Sequence, residues 1–427
     1  MKIKDQKNFR VGMFIGQYDP GGSHTRDFIK CLAERNIHVD LFLCNPMGFK
    51  AIDTFSYVDD RIQVYFFKRD LNLFGRSNHP IIKNFRRINA LLIVFYQYIN
   101  KLIIQLRYQI GLKNENLLIP KWVQRETNQL IRENEYRIFI GVEAMGLVYA
   151  GMMGKKHQVS FLYHSYELFT KKFPNGDGKK FLQEFYLLKK LEKKYHMDAD
   201  ATIIQDEERK NVLYGENCIN EIPEYYMPIS LKGELRYEKG KYFHNLFNIE
   251  PSVKIVLQYG SITDERFSKE IAMVANEFPE GYVMVMHGRS NTEYNNSLMS
   301  LIKTGKLFIS TKLVDPDYIS EIISSAHIGL SFYRTDDPNS ALSGLSSHKL
   351  AHYTQCGLPV ISNNYPSIRR LIDETKYGIC VNSIKEIPHA VHAIDANYKK
   401  YSEASYKAYS DYYSIDNYID QIVELVQ

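Results

Sequence analysis

Cysteine is scarce in this chain, and no two cysteines stand close together. The 427 residues include five, an odd number: Cys31, Cys44, Cys218, Cys356 and Cys380. Disulfide-rich secreted domains and structural zinc sites both need cysteines at short, repeated spacings. The sequence also lacks clusters of carboxylates or histidines that could hold a metal ion. We therefore expect a reducing compartment, no disulfide framework and no metal site.

Strong net charge and a signal-like leader are also missing. The formal charge of +5 is small for this length and no nucleic-acid-binding motif accompanies it, so we expect no nucleic-acid partner. Residues 1–10 are polar and lack the apolar core of a signal peptide. With 44% hydrophobic and 24% charged residues, the composition is that of a globular protein. These features together predict a cytoplasmic location.

Acidic residues are absent from residues 71–114, which carry seven basic ones: Arg76, Lys83, Arg86, Arg87, Lys101, Arg107 and Lys113. Polar residues interrupt the apolar stretch 88–106 too often for a membrane-spanning helix. One hypothesis is a helix in the membrane interface, with basic ends facing anionic headgroups. The other is a core helix with solvated basic flanks. The first hypothesis adds a partner, an anionic membrane surface bound through residues 76–113, and makes the protein peripheral on the inner face of the cell membrane.

A second basic segment, residues 171–194, carries eight lysines around apolar residues at helical spacing. A solvated helix face is the favoured explanation, because surface helices commonly carry charge opposite an apolar stripe. A second membrane contact is the alternative.

Strand-like and helical patterns alternate along the chain, which predicts parallel sheets with crossover helices. Short apolar runs predict strands at 10–16, 38–44, 61–67, 136–142, 158–163, 201–205, 254–259, 282–287, 306–310, 327–332, 359–361 and 378–381. The predicted fold class is α/β, with two doubly wound, Rossmann-like domains that face each other across a cleft.

An irregular segment around Pro228 marks the predicted boundary between the two domains. We expect one domain over residues 1–228 and the other over residues 229–401. Residues 402–427 have a helical pattern with one apolar face and no strand to follow, so we expect this helix to pack across both lobes and complete the first domain.

The pattern of residues 346–357 predicts a short helix whose N-terminus could bind an anion. Ser346 and Ser347 are N-cap residue types, Lys349 adds a cation in the first turn, and Gly357 ends the helix. Backbone N–H groups and the positive end of the helix dipole favour a negative ligand there. We expect a phosphate group at this position.

Gly21 and Gly22 follow the first predicted strand and precede a helix that Ser23 would cap. Glycines let a ligand approach the backbone closely, although an ordinary glycine turn has the same composition. Together with Ser346 and Ser347, this turn gives each domain one helix N-terminus at the cleft. The two N-termini would hold a diphosphate from opposite sides.

Several segments of the chain resemble nucleotide-sugar glycosyltransferases of the GT-B fold, of the family 4 type that builds bacterial cell-surface glycans. Residues 21–40 resemble the Gly-Gly turn, helix and second strand with which these enzymes open. Residues 161–169 resemble a Tyr-Asp-x-His-Glu-Leu segment, and residues 199–209 resemble the last strand of the first domain. The most specific segment is 347–360, which resembles Ser-x-Lys-Leu-x-Glu-Tyr-x-x-x-Gly-x-Pro-Val.

The resemblance implies an acceptor-binding first domain and a donor-binding second domain. The donor would be a nucleotide sugar, used as substrate with no cofactor, and the acceptor a glycan or a lipid-linked molecule at the cytoplasmic membrane face. The implied donor-binding residues are Gly21, Gly22, Gly260, Arg266, Gly288, Ser346, Ser347, Lys349 and Leu350.

The chain departs from the family at two places. Where the family has Gly-Arg and then a Lys, Gly260 is followed by Ser261, and Arg266 stands at the Lys position. The family's Glu-x7-Glu pair, which contacts the donor sugar and the ribose, is replaced by Gly344 and His352. The sequence thus keeps phosphate contacts and loses the usual sugar and ribose contacts.

The implied reaction is the departure of a nucleoside diphosphate from an anomeric carbon. Fixed N–H dipoles and cations stabilise the charge that grows on the leaving phosphate, so a metal ion is dispensable. An inverting enzyme would also need a base in the first domain, whereas a retaining enzyme would not, and the sequence fits both. Glu167 is our first candidate for this base because it matches the Glu of the family segment. The other candidates are His164, His24 and Asp19.

Three hypotheses about function stay open at this point. The first is a metal-independent glycosyltransferase of the hexosyltransferase type. The second is a nucleotide-sugar epimerase on the same fold, whose cleft would need more carboxylates and histidines than this chain offers. The third is a catalytically silent GT-B partner subunit, which the missing Glu pair motivates.

Overall fold

A computed structural model of the chain describes residues 9–16, 23–43, 59–67, 115–170, 182–301, 304–334 and 337–427. Its first sheet has seven strands: β1 (Phe9–Ile15), β2 (Ile37–Leu43), β3 (Ile62–Phe66), β4 (Ile138–Val142), β5 (Phe161–His164), β6 (Ala201–Ile204) and β7 (Glu224–Tyr226). Their spatial order is β3-β2-β1-β4-β5-β6-β7, and all the pairings are parallel. The order reverses at β1, as in doubly wound sheets.

The helices that cover this sheet are α1 (Ser23–Glu34), α2 (Lys121–Arg132), α3 (Glu143–His157), α4 (Leu182–His196) and α5 (Glu207–Asn217). Two apolar cores lie on opposite faces of the sheet, because neighbouring strand residues alternate between them: Met13 belongs to one core and Phe14 to the other. We call this sheet with its helices the first lobe.

The second sheet has six parallel strands in the order β10-β9-β8-β11-β12-β13. They are β8 (Lys254–Tyr259), β9 (Tyr282–His287), β10 (Leu307–Ser310), β11 (Ile328–Ser331), β12 (Val360–Asn363) and β13 (Gly378–Val381). The helices around them are α6 (Tyr242–Phe247), α7 (Ser268–Val274), α8 (Thr292–Ser300), α9 (Ile319–Ile323), α10 (Pro338–Ala341), α11 (His348–Gln355), α12 (Pro366–Thr375) and α13 (Ile387–Ala396). This second lobe confirms the predicted class of two doubly wound α/β units.

The C-terminal segment differs from the single helix predicted over residues 402–427. It forms α14 (Tyr398–Ala408) and α15 (Ile419–Val426), with a π-helical turn and a 3-10 turn between them. Helix α14 packs against α11 of the second lobe, whereas α15 packs against α1 of the first. The apolar face of α15 is buried in the core of the first lobe. The chain therefore crosses from one lobe to the other between residues 409 and 418.

Several predictions concern residues outside the described ranges. These are the glycine turn at Gly21 and Gly22, the candidate base Asp19, the basic segment 76–113 and the first part of the segment 171–194. The predicted boundary at residue 228 lies between β7 and β8 and stays a prediction. In the described ranges, no helix is both long and apolar enough to cross a membrane.

Candidate functional site

Two glycines bring the ends of β8 and β9 together at the cleft. Gly260 has φ +108° and Gly288 has φ +153°, which residues with side chains rarely adopt. A Cβ atom on Gly288 would lie 1.6 Å from the carbonyl oxygen of Gly260, and one on Gly260 would lie 3.3 Å from Cε of Lys349. Glycine at both positions therefore keeps the backbone next to the Lys349 side chain.

Two cations lie over the ring of Tyr333, a residue just beyond the end of β11. Arg266 Cζ is 4.2 Å and Lys349 Nζ is 4.6 Å from the ring centre. Nearby Arg334 pairs with Glu270, but no carboxylate in the described residues forms an ion pair with Arg266 or Lys349. Cation–π contacts hold the two charges in place without neutralising them. The cluster therefore has an excess of positive charge.

The pKa shifts of Lys349 and Tyr333 have the direction that an excess of positive charge produces. Burial lowers the pKa of Lys349, which is 8% exposed, and the neighbouring Arg266 charge lowers it further. Burial raises the pKa of Tyr333, but the charges of Lys349 and Arg266 outweigh burial and the net shift is downward. A phosphate group would relieve both effects by supplying negative charge.

Helix α11 begins where predicted, but its serine side chains do not cap it. Ser347 occupies the N-cap position without a side-chain capping bond, and its Oγ lies 2.9 Å from the hydroxyl of Tyr333. Ser346 Oγ donates to the carbonyl of Leu342 and accepts from Arg209. The expectation of serine caps is wrong because tertiary partners take both hydroxyls. Neither serine hydroxyl therefore accepts a hydrogen bond from the first-turn N–H groups of α11.

The remaining residues of this segment are packed rather than exposed. The Leu350 side chain is fully buried in the core of the second lobe, so it could reach a donor only through its backbone. A Cβ atom on Gly344 would lie 2.8 Å from the carbonyl oxygen of Ser367, which leaves no room for a carboxylate. His352 is 3% exposed, and its Nδ1 lies 2.8 Å from Ser320 Oγ. Neither position offers a substitute for the family's Glu pair.

On the first lobe, the rings of His24 and His164 both pack against the ring of Tyr166. The ring centres of His24 and Tyr166 are 4.2 Å apart, and those of His164 and Tyr166 are 4.1 Å apart. Burial lowers the pKa of His164 to about 3 and that of His24 well below its ordinary value. Among the described residues, no hydrogen-bond partner meets the ring nitrogens of His24 or His164. Buried polar atoms usually have partners, so these nitrogens are candidates for ligand contacts.

The two lobes meet at His24. Its ring centre lies 4.0 Å from that of His348, the first residue of α11. The start of α1 in the first lobe therefore faces the start of α11 in the second. This is the arrangement that the sequence predicts for a diphosphate site, although Gly21 and Gly22 lie outside the described residues.

Glu167 faces the cleft from the end of β5 and is exposed. The backbone N–H of Glu167 donates to both carboxylate oxygens of Glu143, at 3.0 and 3.2 Å. Burial and the charge of Glu167 raise the pKa of Glu143 to about 8. Partial desolvation by the walls of the cleft also raises the pKa of Glu167, against the lowering effect of Arg209. Two carboxyl groups thus stand at adjacent strand ends.

Sequence reasoning missed three residues of this cleft: Tyr333, Glu143 and Arg209. Tyr333 follows β11 closely and Glu143 follows β4 directly, so the rule that parallel sheets bind ligands at their carboxyl ends would have found both. Arg209 lies in the first turn of α5, where a basic residue gives no signal of its own.

Several solved structures are similar to nearly the whole chain. Sucrose-phosphate synthase from Thermosynechococcus elongatus has a TM-score of 0.67 and 12% identity, covering 98% of each chain. HepE from Anabaena, in complex with UDP and glucose, has a TM-score of 0.63 and 11% identity, covering 98% of this chain and 99% of its own. WaaG, a glycosyltransferase involved in lipopolysaccharide biosynthesis, has a TM-score of 0.58 and 10% identity, with coverages of 98% and 99%. The chain has the GT-B glycosyltransferase fold.

A match to a family model covers the C-terminal part of the chain. The family model described as the C-terminal domain of glucosyltransferase 3-like proteins matches residues 303–423. No curated protein matches the chain. The predicted GT-B fold is thus confirmed, and the assignment to family 4 stays a prediction. In this fold the cleft lies between the lobes, so the Tyr333 cluster and the Glu143–Glu167 pair occupy its two walls.

Proposed function

We propose that the protein is a family 4 type glycosyltransferase that moves a sugar from a nucleoside diphosphate donor to a glycan or lipid-linked acceptor at the cytoplasmic membrane face. The cluster of Arg266 and Lys349 on Tyr333, beside the start of α11, carries this proposal. It presents two cations and helix N–H groups to the cleft, which is what a diphosphate needs. The involvement of WaaG in lipopolysaccharide biosynthesis supports a glycan or lipid-linked acceptor.

UDP-glucose is the first donor to test. HepE has this fold and was solved with UDP-glucose, and the matching family model is named for a glucosyltransferase. The Gly260 and Gly288 turns would accept the nucleotide close to the backbone, in the same lobe as Lys349 and Arg266.

In the proposed reaction, an acceptor hydroxyl oxygen forms a bond to the anomeric carbon, while the bond between that carbon and the diphosphate oxygen breaks and its electron pair passes to the diphosphate. Arg266, Lys349 and the first-turn N–H groups of α11 would stabilise the charge that develops there. Because these groups are fixed before the reaction, we propose that transfer is metal-independent. Activity in the presence of EDTA checks this part.

On the acceptor side, Glu167 is the proposed base if the reaction inverts the anomeric centre. The buried rings of His24 and His164 are poor bases because burial lowers the pKa of each. Their ring nitrogens, which have no hydrogen-bond partner among the described residues, suit hydrogen bonds to sugar hydroxyls instead. If the reaction retains the configuration, the leaving diphosphate would take the acceptor proton, so no protein base is needed and Glu167 would only bind the acceptor.

The membrane part of the proposal rests on the acid-free segment 76–113. In the described part of the second basic segment, Lys190 and Lys194 are exposed, whereas Lys189 is buried and pairs with Glu192 at 2.8 Å. Helix α4 therefore has a solvated basic edge, and only some of its lysines could face a membrane. We propose peripheral binding to the inner face of the membrane through residues 76–113.

UDP release from a panel of UDP-sugars, measured with and without membrane extracts as acceptor source, tests the proposed function. We expect acceptor-dependent UDP release from at least one donor, without added metal. Interconversion of free UDP-sugars would indicate the epimerase instead. A protein that neither turns over any donor nor gains thermal stability from UDP would fit the silent subunit, because a ligand that binds the folded state raises its stability.

A further inference from the structure

Arg209 is a fully buried charged residue at the junction of the two lobes. It lies in the first turn of α5, and its side chain is 0% exposed. Its backbone N–H donates to Asp206, the N-cap residue of the helix, at 2.8 Å. A buried guanidinium remains charged and needs several hydrogen-bond partners. The identity of those partners defines what Arg209 does.

Within the first lobe, Arg209 is held by two short hydrogen bonds. Its Nε donates to Gln205 Oε1 at 2.6 Å, and its Nη2 donates to the backbone carbonyl of Tyr166 at 2.6 Å. Tyr166 immediately precedes Glu167, the carboxylate that faces the cleft. Arg209 therefore fixes the backbone that carries Glu167.

The same guanidinium also reaches three acceptors of the second lobe. Nη2 donates to Asn339 Oδ1 at 2.9 Å, and Nη1 donates to Ser346 Oγ at 3.0 Å and more weakly to the carbonyl of Leu342 at 3.4 Å. These acceptors lie on α10 and on the loop before α11. The bonds form only when the lobes stand at this separation.

Asn339 adds a second link across the junction. Its Oδ1 accepts from the backbone N–H of Leu168 at 2.6 Å, and its Nδ2 donates to the carbonyl of Leu168 at 3.0 Å. The amide thus pairs with the Leu168 backbone as a neighbouring strand would. Glu167 lies between Tyr166 and Leu168, so the junction fixes its backbone on both sides.

The network continues to the donor wall through two adjacent serines. Ser346 accepts from Arg209, and Ser347 contacts the hydroxyl of Tyr333, on which Arg266 and Lys349 lie. A single set of contacts therefore joins the acceptor-side carboxylate to the donor-side cations.

We propose that Arg209 is a positioning residue that couples closure of the lobes to assembly of the site, by linking the Glu167 segment to the loop that precedes α11. This inference rests on the proposed function and adds a residue to it. Because protein atoms bury Arg209 completely, we expect it to contact neither donor nor acceptor. When the lobes separate, its bonds to Asn339, Ser346 and Leu342 break, and Glu167 loses its fixed place relative to Lys349.

Hydrogen exchange tests the link without any need for turnover. Arg209→Lys keeps the charge but cannot make the same set of bonds. We expect amide exchange at Leu168 and over residues 342–347 to become at least about tenfold faster, because opening exposes these groups. Exchange in β12, deep in the second lobe, should not change. Asn339→Ala should give the same pattern. Unchanged exchange at Leu168 in both variants would overturn the inference.

Kinetics test the positioning role. For Arg209→Lys we expect kcat to fall at least about tenfold while affinity for UDP changes less than about threefold, because both cations of the proposed phosphate site, Arg266 and Lys349, belong to the second lobe. Arg370→Lys is the matched control, since Arg370 also crosses the junction, to Glu208 at 2.5 Å, but is exposed. It should keep kcat within about twofold.

The outcomes separate this inference from the proposed function. An active parent whose kcat is the same in Arg209→Lys overturns the inference and leaves the function standing. A parent without turnover, in which Arg209→Lys still accelerates exchange at Leu168, contradicts the enzyme and supports the link. A loss of thermal stability in Arg209→Lys with unchanged kcat and unchanged local exchange assigns Arg209 to folding alone.

Discussion

At the residue scale, the described cleft has cations on one wall and carboxyl groups on the other. The second lobe contributes Arg266 and Lys349 on Tyr333, and the first lobe contributes Glu143 and Glu167. A donor with a diphosphate and an acceptor with hydroxyl groups match these two walls. Lys349 and Arg266 could be predicted from the sequence, because each stands in a recognisable segment. The contact of both cations with the ring of Tyr333 could not be predicted, since only the fold brings the three residues together.

At the residue scale, the raised pKa of Glu143 predicts how the stability of the protein changes with pH. Its pKa is raised to about 8 in the folded protein, against an ordinary value of about 4.3 for glutamate. Between these values the folded state binds more protons than the unfolded state, so this group lowers stability as pH rises. The charged groups around it are Glu167, Glu192 and Arg209.

We expect Glu143→Gln, which cannot ionise but can still accept the Glu167 N–H, to gain thermal stability relative to the parent as pH increases from about 5 to about 8. Melting temperatures at both pH values check this. Glu126→Gln, at an exposed position of α2, is the control and should show no such trend. An equal difference between Glu143→Gln and the parent at both pH values would rule out the raised pKa.

At the element scale, most strands could be predicted because their apolar runs are buried on both faces of parallel sheets. The exception is β7 (Glu224–Tyr226), a three-residue strand without a pattern of its own, which forms by pairing with β6. Helix α11 shows a different limit. Its start was predictable from Ser347, but the direction of the serine hydroxyls depends on Tyr333 and Arg209, which come from distant parts of the chain.

At the element scale, the close approach of the turns after β8 and β9 predicts that a side chain at Gly288 is not tolerated. Gly288→Ala would place a Cβ atom 1.6 Å from the carbonyl oxygen of Gly260, so backbone must move. We expect Gly288→Ala to lower the free energy of unfolding by more than the about 1–3 kcal/mol that a strained backbone conformation alone costs. We also expect this variant to lose UDP binding.

Gly305→Ala is the matched control for this change. Gly305 also has a positive φ, of +68°, but no atom of the described residues lies within 4 Å of its added Cβ atom. Gly305→Ala should lower the free energy of unfolding by only about 1–2 kcal/mol, which is the penalty for the left-handed conformation. Denaturant unfolding measures both variants, and an equal loss in both would show that the close approach of the two backbones has no special cost.

At the scale of the whole molecule, the C-terminal segment and the Arg209 junction both connect the lobes. The sequence predicted a helix that packs across both, and the structure divides this task between α14 and α15. The break between them could not be predicted, because the apolar pattern continues through it. The site between the lobes depends on how the lobes dock. Its two carboxyl groups and buried histidines therefore could not be predicted from any local sequence pattern.

Membrane binding is a prediction at the same scale. Replacing Arg86, Arg87 and Lys101 by Glu should reduce binding to vesicles that contain anionic phospholipid, because each basic residue near such a surface contributes about 1 kcal/mol. Affinity for UDP should stay the same. The control replaces three exposed lysines of the second lobe, Lys269, Lys312 and Lys385, by Glu. Equal vesicle binding by parent and the first variant would return residues 76–113 to the core-helix hypothesis.

The most direct test of the central claim is the dissociation constant of UDP, measured by calorimetry for the parent, Lys349→Ala and Arg266→Ala. Each substitution removes a charge-assisted contact of about 1.5 to 3 kcal/mol, so we expect UDP binding to weaken by about 10- to 100-fold in each. Lys269→Ala, at an exposed position of α7, should bind UDP as the parent does. Equal dissociation constants for the parent and both site variants would contradict the diphosphate site at Tyr333.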